Sequence, residues 1–198
     1  MDTFAPAVRS ARPSTLVPRA DLLTDALFVV GGAALVAGAA QISIPLASTP
    51  VPITGQTFAV LLVGAALGTV RGFASLLLYL VVGIAGAPIY ADHHHGWSQV
   101  TSASGGYLVG FVLAAAVTGF LAERRWDRRL SSSISLMLTG NVIIYLVGLP
   151  WLAVVLNTNL EKTLEFGLYY FVPGDIFKLY LAAALLPTAW KVARRRDA

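Results

Sequence analysis

The feature that most constrains this chain is a series of long apolar segments joined by short polar connections. Hydrophobic residues make up 57% of its 198 residues and charged residues 12%, whereas soluble domains contain about 25% charged residues. Most segments are long enough to cross about 30 Å of hydrocarbon as helices. The segments are residues 26–46, 55–70, 73–89, 105–122, 131–156 and 173–190. This pattern predicts an all-α integral membrane protein whose six transmembrane helices form one bundle.

The positions of the basic residues predict how this bundle is oriented. Of the 14 Lys and Arg residues, all except Lys162 and Lys178 lie at the two chain ends or in the connections after the second and fourth segments. Connections rich in Lys and Arg remain on the cytoplasmic side of a membrane. Both termini are therefore predicted to be cytoplasmic, and we expect a multi-pass protein of the plasma membrane.

Two polar ends flank a single membrane domain in this interpretation. Residues 1–20 are polar and contain several prolines, which predicts a disordered cytoplasmic tail. Residues 21–193 form the transmembrane domain, and residues 194–198 form a basic cytoplasmic tail. An A-x-A sequence at 37–39 also resembles a signal-peptide cleavage site. The apolar run continues beyond it to Leu46, which favours an uncleaved helix.

The sixth segment contains the strongest candidate for a functional site. Pro173 and Gly174 predict a helix start, so Asp175 and Lys178 lie three residues apart on one helix face. An ionisable group in the membrane costs about 2.5–3.5 kcal/mol on insertion scales and normally faces a cavity or the bundle interior. Two interpretations remain open: an outward-facing binding site for a small polar solute, and an ion pair that neutralises both groups.

Smaller polar features lie at the predicted outer ends of other segments. Thr54 precedes the second segment, Gln56 opens it, and Tyr107 opens the fourth segment after two glycines. Each of these three residues is a candidate for substrate binding. Helix capping by Thr54 and close helix packing beside an interfacial tyrosine explain the same residues equally well.

Two further polar features lie outside this set of candidates. His93–His95 are consecutive residues of a connection and do not converge naturally on one ion, so we predict no metal site. Asn141 lies inside the fifth segment and is expected to form a hydrogen bond with a neighbouring helix.

Several function classes are excluded by the sequence itself. It contains no Cys, which removes disulfide and thiolate chemistry. It has no G-x-x-x-x-G-K-[ST] loop for nucleotide phosphates, and no nucleophile and base have hydrolase-like spacing. Its basic residues flank apolar segments, which argues against nucleic-acid binding. We therefore expect a binding protein without a cofactor rather than an enzyme.

Three motifs give the chain a family resemblance. They are TPVPITGQTFAVLL at residues 49–62, GGYLVGF at 105–111 and PGDIFK at 173–178. In this order and at these separations they resemble the BioY family, whose members are the biotin-binding S components of energy-coupling-factor (ECF) transporters. The resemblance covers residues 22–190 and is interrupted at 91–104, where this chain departs from the family pattern.

The resemblance implies a six-helix S-component fold that captures biotin from outside. It also implies two kinds of protein partner, an ECF coupling transmembrane protein and ATPase subunits. The bundle itself is expected to contact membrane lipid. It places Asp175, Lys178 and Tyr107 around the ligand and makes the 45–54 segment a gate. The gate residues are Pro50, Val51 and Pro52. An S component for another vitamin and a membrane scaffold or enzyme with a structural Asp175–Lys178 pair are the alternatives, and a homo-oligomer remains open.

Biotin suits the chemistry of the charged pair. Its ureido ring offers two N–H donors to Asp175, its carboxylate offers an anion to Lys178, and the rest of the molecule is apolar. The two side chains begin about 5–6 Å apart on the helix, which is shorter than extended biotin. Lys178 therefore meets the ureido oxygen or stays paired with Asp175 while the carboxylate faces loop residues, and the sequence does not decide which ligand atom Lys178 meets.

The first segment is predicted to face the coupling protein. It carries small residues at four-residue spacing, which allow another helix to approach closely. These residues are Gly32, Ala33, Ala37 and Gly38, of which Ala33 and Ala37 are the predicted partner-facing pair. Packing inside the six-helix bundle explains the same spacing equally well.

Overall fold

The computed structural model describes residues 21–196, with side chains through Lys191, so the predicted tail at 1–20 lies outside the described residues. The helices are α1 (Leu22–Ala40), α2 (Gln56–Leu67), α3 (Thr69–Ile84), α4 (Trp97–Val100), α5 (Gly105–Glu123), α6 (Leu130–Leu156), α7 (Leu160–Leu164) and α8 (Val172–Arg196). Two short strands, β1 (Ser43–Ile44) and β2 (Ile53–Thr54), complete the regular structure. The predicted all-α fold is confirmed, and α8 continues as helix through the basic residues 194–196.

The central helix of the bundle is α5, which packs against α2, α3 and α6. Its residues Ala114, Ala115 and Thr118 are fully buried. A Cβ atom on Gly64 of α2 would lie 2.2 Å from the Thr118 hydroxyl oxygen and 2.5 Å from the Ala115 carbonyl oxygen. Small residues therefore allow the backbones of α2 and α5 to approach closely, as is common between membrane helices.

The lengths of the apolar helices bear on how many cross the membrane. Within the described residues, α1, α5 and α6 have 19, 19 and 27 residues and are long and apolar enough to span it. The chain from Leu160 to Lys191 is a further candidate, bent by 42° near Tyr170. Helices α2 and α3 have 12 and 16 residues, which rise about 18 and 24 Å. Six complete spans remain a prediction.

The connection between α2 and α3 differs from the sequence-based interpretation. The turn lies at Gly68, whose φ of 84° is in the left-handed region that favours glycine. Arg71 lies in the first turn of α3, where it is buried and forms an ion pair with Asp25 of α1. Its guanidinium also lies 5.6 Å from the centre of the Phe28 ring. Arg71 therefore joins α1 to α3 from inside α3 instead of lying between the second and third segments.

Three connections meet at one end of the bundle, which is the predicted outer end. The first contains the antiparallel ribbon of β1 and β2, which pairs Ser43 with Thr54 and Ile44 with Ile53. The second, residues 85–104, contains a 3-10 turn (Ala91–His93) and α4. The third contains α7 and a π-helical turn (Glu165–Tyr169). Their contacts position the walls of a cavity.

The opposite end is closed by a contact between the α5–α6 connection and α8. Asp127, in a 3-10 turn (Trp126–Arg128), is fully buried and accepts a hydrogen bond from the indole N–H of Trp190. The Arg128 guanidinium lies 4.2 Å from the centre of the Trp190 ring. Burial raises the pKa of Asp127, and the Trp190 hydrogen bond and the Arg128 charge oppose that shift.

Candidate binding cavity

A narrow cavity of about 60 Å³ lies beneath the outer connections. We call it the inner cavity. Its wall residues are Val51, Pro52, Thr54, Gln56, Thr57, Tyr90, Ala91, Gln99, Ser104, Tyr107, Leu108, Phe111, Tyr145, Phe171, Asp175 and Lys178. The walls are mainly apolar and aromatic, and all five residues predicted to bind substrate are among them.

The charged end of the inner cavity is built around Asp175. This residue is buried, and its Oδ1 accepts hydrogen bonds from the Thr57 hydroxyl and from Lys178 Nζ, each at 3.2 Å. Its Oδ2 accepts a hydrogen bond from the Tyr145 hydroxyl. Lys178 Nζ also donates to the Thr57 hydroxyl oxygen at 3.3 Å. The predicted pair therefore belongs to a four-residue cluster that joins α2, α6 and α8.

Thr57 and Tyr145 were not predicted as site residues from the sequence. Both residues are polar and lie within or at the start of an otherwise apolar segment, which is the same signal that identified Asp175. Asn141 lies one helical turn from Tyr145 on α6 and is buried. Its side-chain oxygen accepts no hydrogen bond from the described residues, so the expected interhelical bond at that atom is not present.

Tyr107 forms part of the cavity wall and is held by the third outer connection. Its hydroxyl donates to the Gly167 carbonyl oxygen at 2.9 Å, and its ring meets the Tyr145 ring edge to face at 6.3 Å. The two glycines before it allow close packing. A Cβ on Gly105 would lie 1.6 Å from the Val100 carbonyl oxygen, and one on Gly106 would lie 2.3 Å from Trp151.

Gln56 and Thr54 connect the gate to α3. The Gln56 amide nitrogen donates to the Tyr79 hydroxyl at 2.8 Å, and its amide oxygen accepts from the Thr54 hydroxyl at 3.0 Å. Thr54 also accepts the backbone N–H of Gln56 at 3.3 Å, but the N-cap of α2 is Gly55, so Thr54 is not the cap considered from sequence. Both side chains face the cavity, but their hydrogen bonds fix the end of β2 and orient the wall.

The gate residues lie at the outer limit of the inner cavity. Val51 and Pro52 line it, whereas Pro50 and Pro52 line an adjoining space. The Thr49 hydroxyl donates to the Phe166 carbonyl oxygen at 2.6 Å and accepts the Val51 N–H at 3.2 Å. The first and third outer connections are thereby joined across the mouth by one side chain.

The second outer connection, which contains His93–His95, folds as a tight turn. Asp92 and His93 have φ values of 54° and 59°, in the left-handed region. Within residues 21–196, no group of three or more His, Asp or Glu side chains could hold a metal ion.

On α1, the small residues divide between two faces. Ala33 is buried in the core and Ala37 is half-buried against it, and a Cβ on Gly32 would lie 2.6 Å from the Ser75 hydroxyl. Gly31, Ala34 and Gly38 lie on the exposed face, where a Cβ on either glycine would meet no atom within 4 Å. The predicted partner-facing pair therefore packs inside the bundle, and the exposed small residues lie on a neighbouring face.

An apolar helical bundle with a charged cluster at the end of a cavity defines a membrane protein that binds a small polar molecule. The BioY family model matches residues 10–195, and the chain belongs to the BioY family.

Relatives support this assignment, and a solved structure shares the fold. The chain is 34% identical over 172 residues to "Biotin transporter BioY" of Rhizobium etli, covering 83% of this chain and 90% of that protein. It is 36% identical over 154 residues to "Biotin transporter BioY" of Thermotoga maritima, covering 77% and 87%. It shares its fold with the crystal structure of an S component for biotin from an ECF-type ABC transporter, with a TM-score of 0.76, 23% identity and coverage of 89% and 92%.

Proposed function

We propose that this protein takes up biotin across the plasma membrane as the substrate-binding subunit of an ECF-type transporter. The observation that carries the proposal is Asp175, a buried carboxylate whose hydrogen-bonding cluster faces a mainly apolar cavity. Biotin has the matching chemistry, because its ureido N–H groups need an acceptor and its bicyclic ring and chain need apolar walls. In this role the protein binds and releases its substrate without changing it chemically.

The hydrogen bonds of Asp175 indicate how the ureido group enters. A carboxylate has about four acceptor positions, and Thr57, Lys178 and Tyr145 occupy three of them. Two ureido N–H groups therefore require one donor to move. Lys178 has the longest of the three side chains and is 18% exposed. We propose that Lys178 moves from Asp175 to the ureido oxygen, which turns an internal ion pair into a ligand contact.

The gate gives this site a way to open. Its segment 45–52 carries no charge and connects to the third outer connection through the Thr49 hydroxyl. Breaking that hydrogen bond would open the entrance of the inner cavity without exposing a buried charge. Proline residues in the segment restrict its unbound conformations, so closure over a ligand costs less entropy.

The proposed partners follow from the exposed surface of α1. The chain has no nucleotide-binding loop, so ATP hydrolysis belongs to separate subunits. Gly31, Ala34 and Gly38 form the exposed small-residue face on which a coupling protein could pack closely. Gly38→Trp should reduce co-purification with the coupling protein and leave biotin binding unchanged. Ala184→Trp, on an exposed face of α8, is the matched control. Loss of biotin binding in Gly38→Trp would indicate an internal packing role.

Equilibrium binding to the purified protein tests the proposed function. We expect about one biotin per chain to bind, and to resist competition by lipoate, which has a similar acyl chain and no ureido group. Displacement by lipoate or by another vitamin at equal concentration would favour a different substrate. Complete absence of biotin binding would favour a scaffold or enzyme in which the Asp175–Lys178 pair is structural.

A further inference from the structure

A second space adjoins the inner cavity on its outer side. This outer chamber has a volume of about 300 Å³. It is lined by Pro45, Leu46, Thr49, Pro50, Pro52, Ala91, Asp92, His94, Gln99, Ser102, Ala103 and Ser104. Pro52, Ala91, Gln99 and Ser104 line both spaces. A ligand longer than the inner cavity can therefore extend past the gate into the outer chamber.

The two spaces differ in the charges that a ligand would meet. Among the residues lining the inner cavity, Lys178 is the one basic side chain, and it is bonded to Asp175 and Thr57. The residues lining the outer chamber include two titratable side chains, Asp92 and His94. Asp92 accepts a hydrogen bond from the Ser43 hydroxyl at 3.1 Å. The gate residues and residues 99–104 form the other walls of the outer chamber, and they contribute no titratable side chain to its lining.

The orientation of His94 is fixed by its own turn. The Ala91 carbonyl oxygen accepts the His94 backbone N–H at 3.1 Å, and His94 Nδ1 lies 2.8 Å from the same oxygen. A carbonyl oxygen can only accept, so Nδ1 carries a proton. Nε2 is then the ring atom available to a ligand. It is an acceptor in the neutral ring and a donor in the imidazolium.

We propose that His94, as an imidazolium, is the cationic contact for the carboxylate of the bound substrate. This inference rests on the proposed function. With the ureido group at Asp175, the acyl chain extends toward the outer chamber and its carboxylate requires donors there. The neutral His94 ring would present a lone pair to that carboxylate, whereas the imidazolium donates a charge-assisted hydrogen bond. The start of α5 at Gly105, beside Ser104, adds favourable potential for an anion.

A comparison of two ligands and two variants tests this contact. Biotin and biotinamide, which lacks the negative charge, are titrated into wild type and His94→Gln at pH 5.5 and pH 8. Imidazole side chains change charge across this interval, so biotin should bind wild type about three- to tenfold more tightly at pH 5.5. His94→Gln should remove this pH dependence, and biotinamide should show none with either protein. His95→Gln is the matched control, since His95 lines neither space.

The outcomes separate this inference from the function on which it rests. Biotin binding that is tight in wild type but insensitive to both pH and His94→Gln would overturn the role of His94 alone. An equal pH dependence for biotinamide would also overturn it, because that ligand has no carboxylate. Failure of wild type to bind biotin at either pH would overturn the proposed function.

Discussion

Asp175 and Asp127 are both buried carboxylates near opposite ends of the bundle, and they differ in what surrounds them. Asp175 receives hydrogen bonds from Thr57, Tyr145 and Lys178 and faces the inner cavity. Asp127 receives one from Trp190, and its Oδ1 accepts none from the described residues. Asp127 lines neither the inner cavity nor the outer chamber.

These surroundings indicate two different roles. The Asp175 carboxylate is positioned to accept hydrogen bonds from a ligand, whereas the Asp127 carboxylate holds two parts of the bundle together. At Asp175, three hydrogen-bond donors meet the carboxylate at the wall of the inner cavity, so a ligand can exchange with one of them. At Asp127, burial disfavours the charged form, and the contact with Trp190 joins the α5–α6 connection to α8. Burial of an acidic residue alone therefore does not identify a binding site.

The largest expected effect is that of Asp175→Asn on biotin binding. The substitution keeps the side-chain shape but removes the charge and one acceptor, and it leaves Lys178 without its counterion. Each charge-assisted hydrogen bond contributes about 1.5–3 kcal/mol, so affinity should fall at least about a hundredfold. Isothermal titration measures this loss. An affinity within threefold of wild type would place Asp175 outside the ligand contacts.

Tyr145→Phe should have an intermediate effect, because it removes one donor from Asp175 and keeps the ring in the wall. We expect biotin affinity to fall by up to about tenfold, because the Asp175 carboxylate loses a donor that orients it toward the ligand. Tyr180→Phe is the matched control, because Tyr180 is exposed on α8. Equal effects of the two variants would contradict a specific role of the Tyr145 hydroxyl.

Hydrogen exchange should show that a ligand affects the two ends differently. Saturating biotin should slow exchange of the amide hydrogens in residues 45–54 several-fold, because the gate closes over the Asp175 site. The connection at 123–130, around Asp127, should be unchanged. Unaltered exchange at 45–54 in the biotin complex would argue against a gate.

Asp127→Asn should have the smallest effect, on stability rather than on binding. Because burial raises the pKa of Asp127 in the folded state, its ionised form destabilises the protein above that pKa, and acidification through it relieves the effect. Asn removes the charge and can still accept from Trp190. At pH 7.5 the Tm should therefore stay within about 4 °C of wild type or rise.

The dependence of Tm on pH tests this role of Asp127. Wild type should gain Tm relative to Asp127→Asn as the pH falls from 7.5 toward the ordinary pKa of an aspartate, and biotin affinity at fixed pH should be the same for both. A fall of biotin affinity in Asp127→Asn would show that the Asp127 end of the bundle is coupled to the site.

Asp175 and Lys178 could be found from sequence because a charge inside an apolar segment conflicts with lipid and requires an explanation. Asp127 could not, because it lies in a charged connection where a solvated carboxylate is the ordinary expectation. Arg71 was misplaced for the same reason, since a basic residue beside a glycine between apolar segments also suits a turn.

Which face of α1 is buried could not be predicted from the sequence either. Its small residues occur on adjacent faces of the helix, so spacing alone does not distinguish the buried face of Ala33 from the exposed face of Gly38. Packing of Gly32 against Ser75 of α3 decides the choice, and that contact depends on the tertiary structure. The six apolar helices were predictable in order and type because their composition alone requires burial or lipid.

The most direct test of the central claim is a double-mutant cycle on biotin affinity with Asp175→Asn, Lys178→Met and the combined variant. If Asp175 and Lys178 contact the ligand, each single variant should bind weakly and the combined variant should bind no better than Asp175→Asn. If the two residues only neutralise each other, the combined variant should recover wild-type affinity. That recovery would contradict the assignment of Asp175 as the acceptor for the substrate.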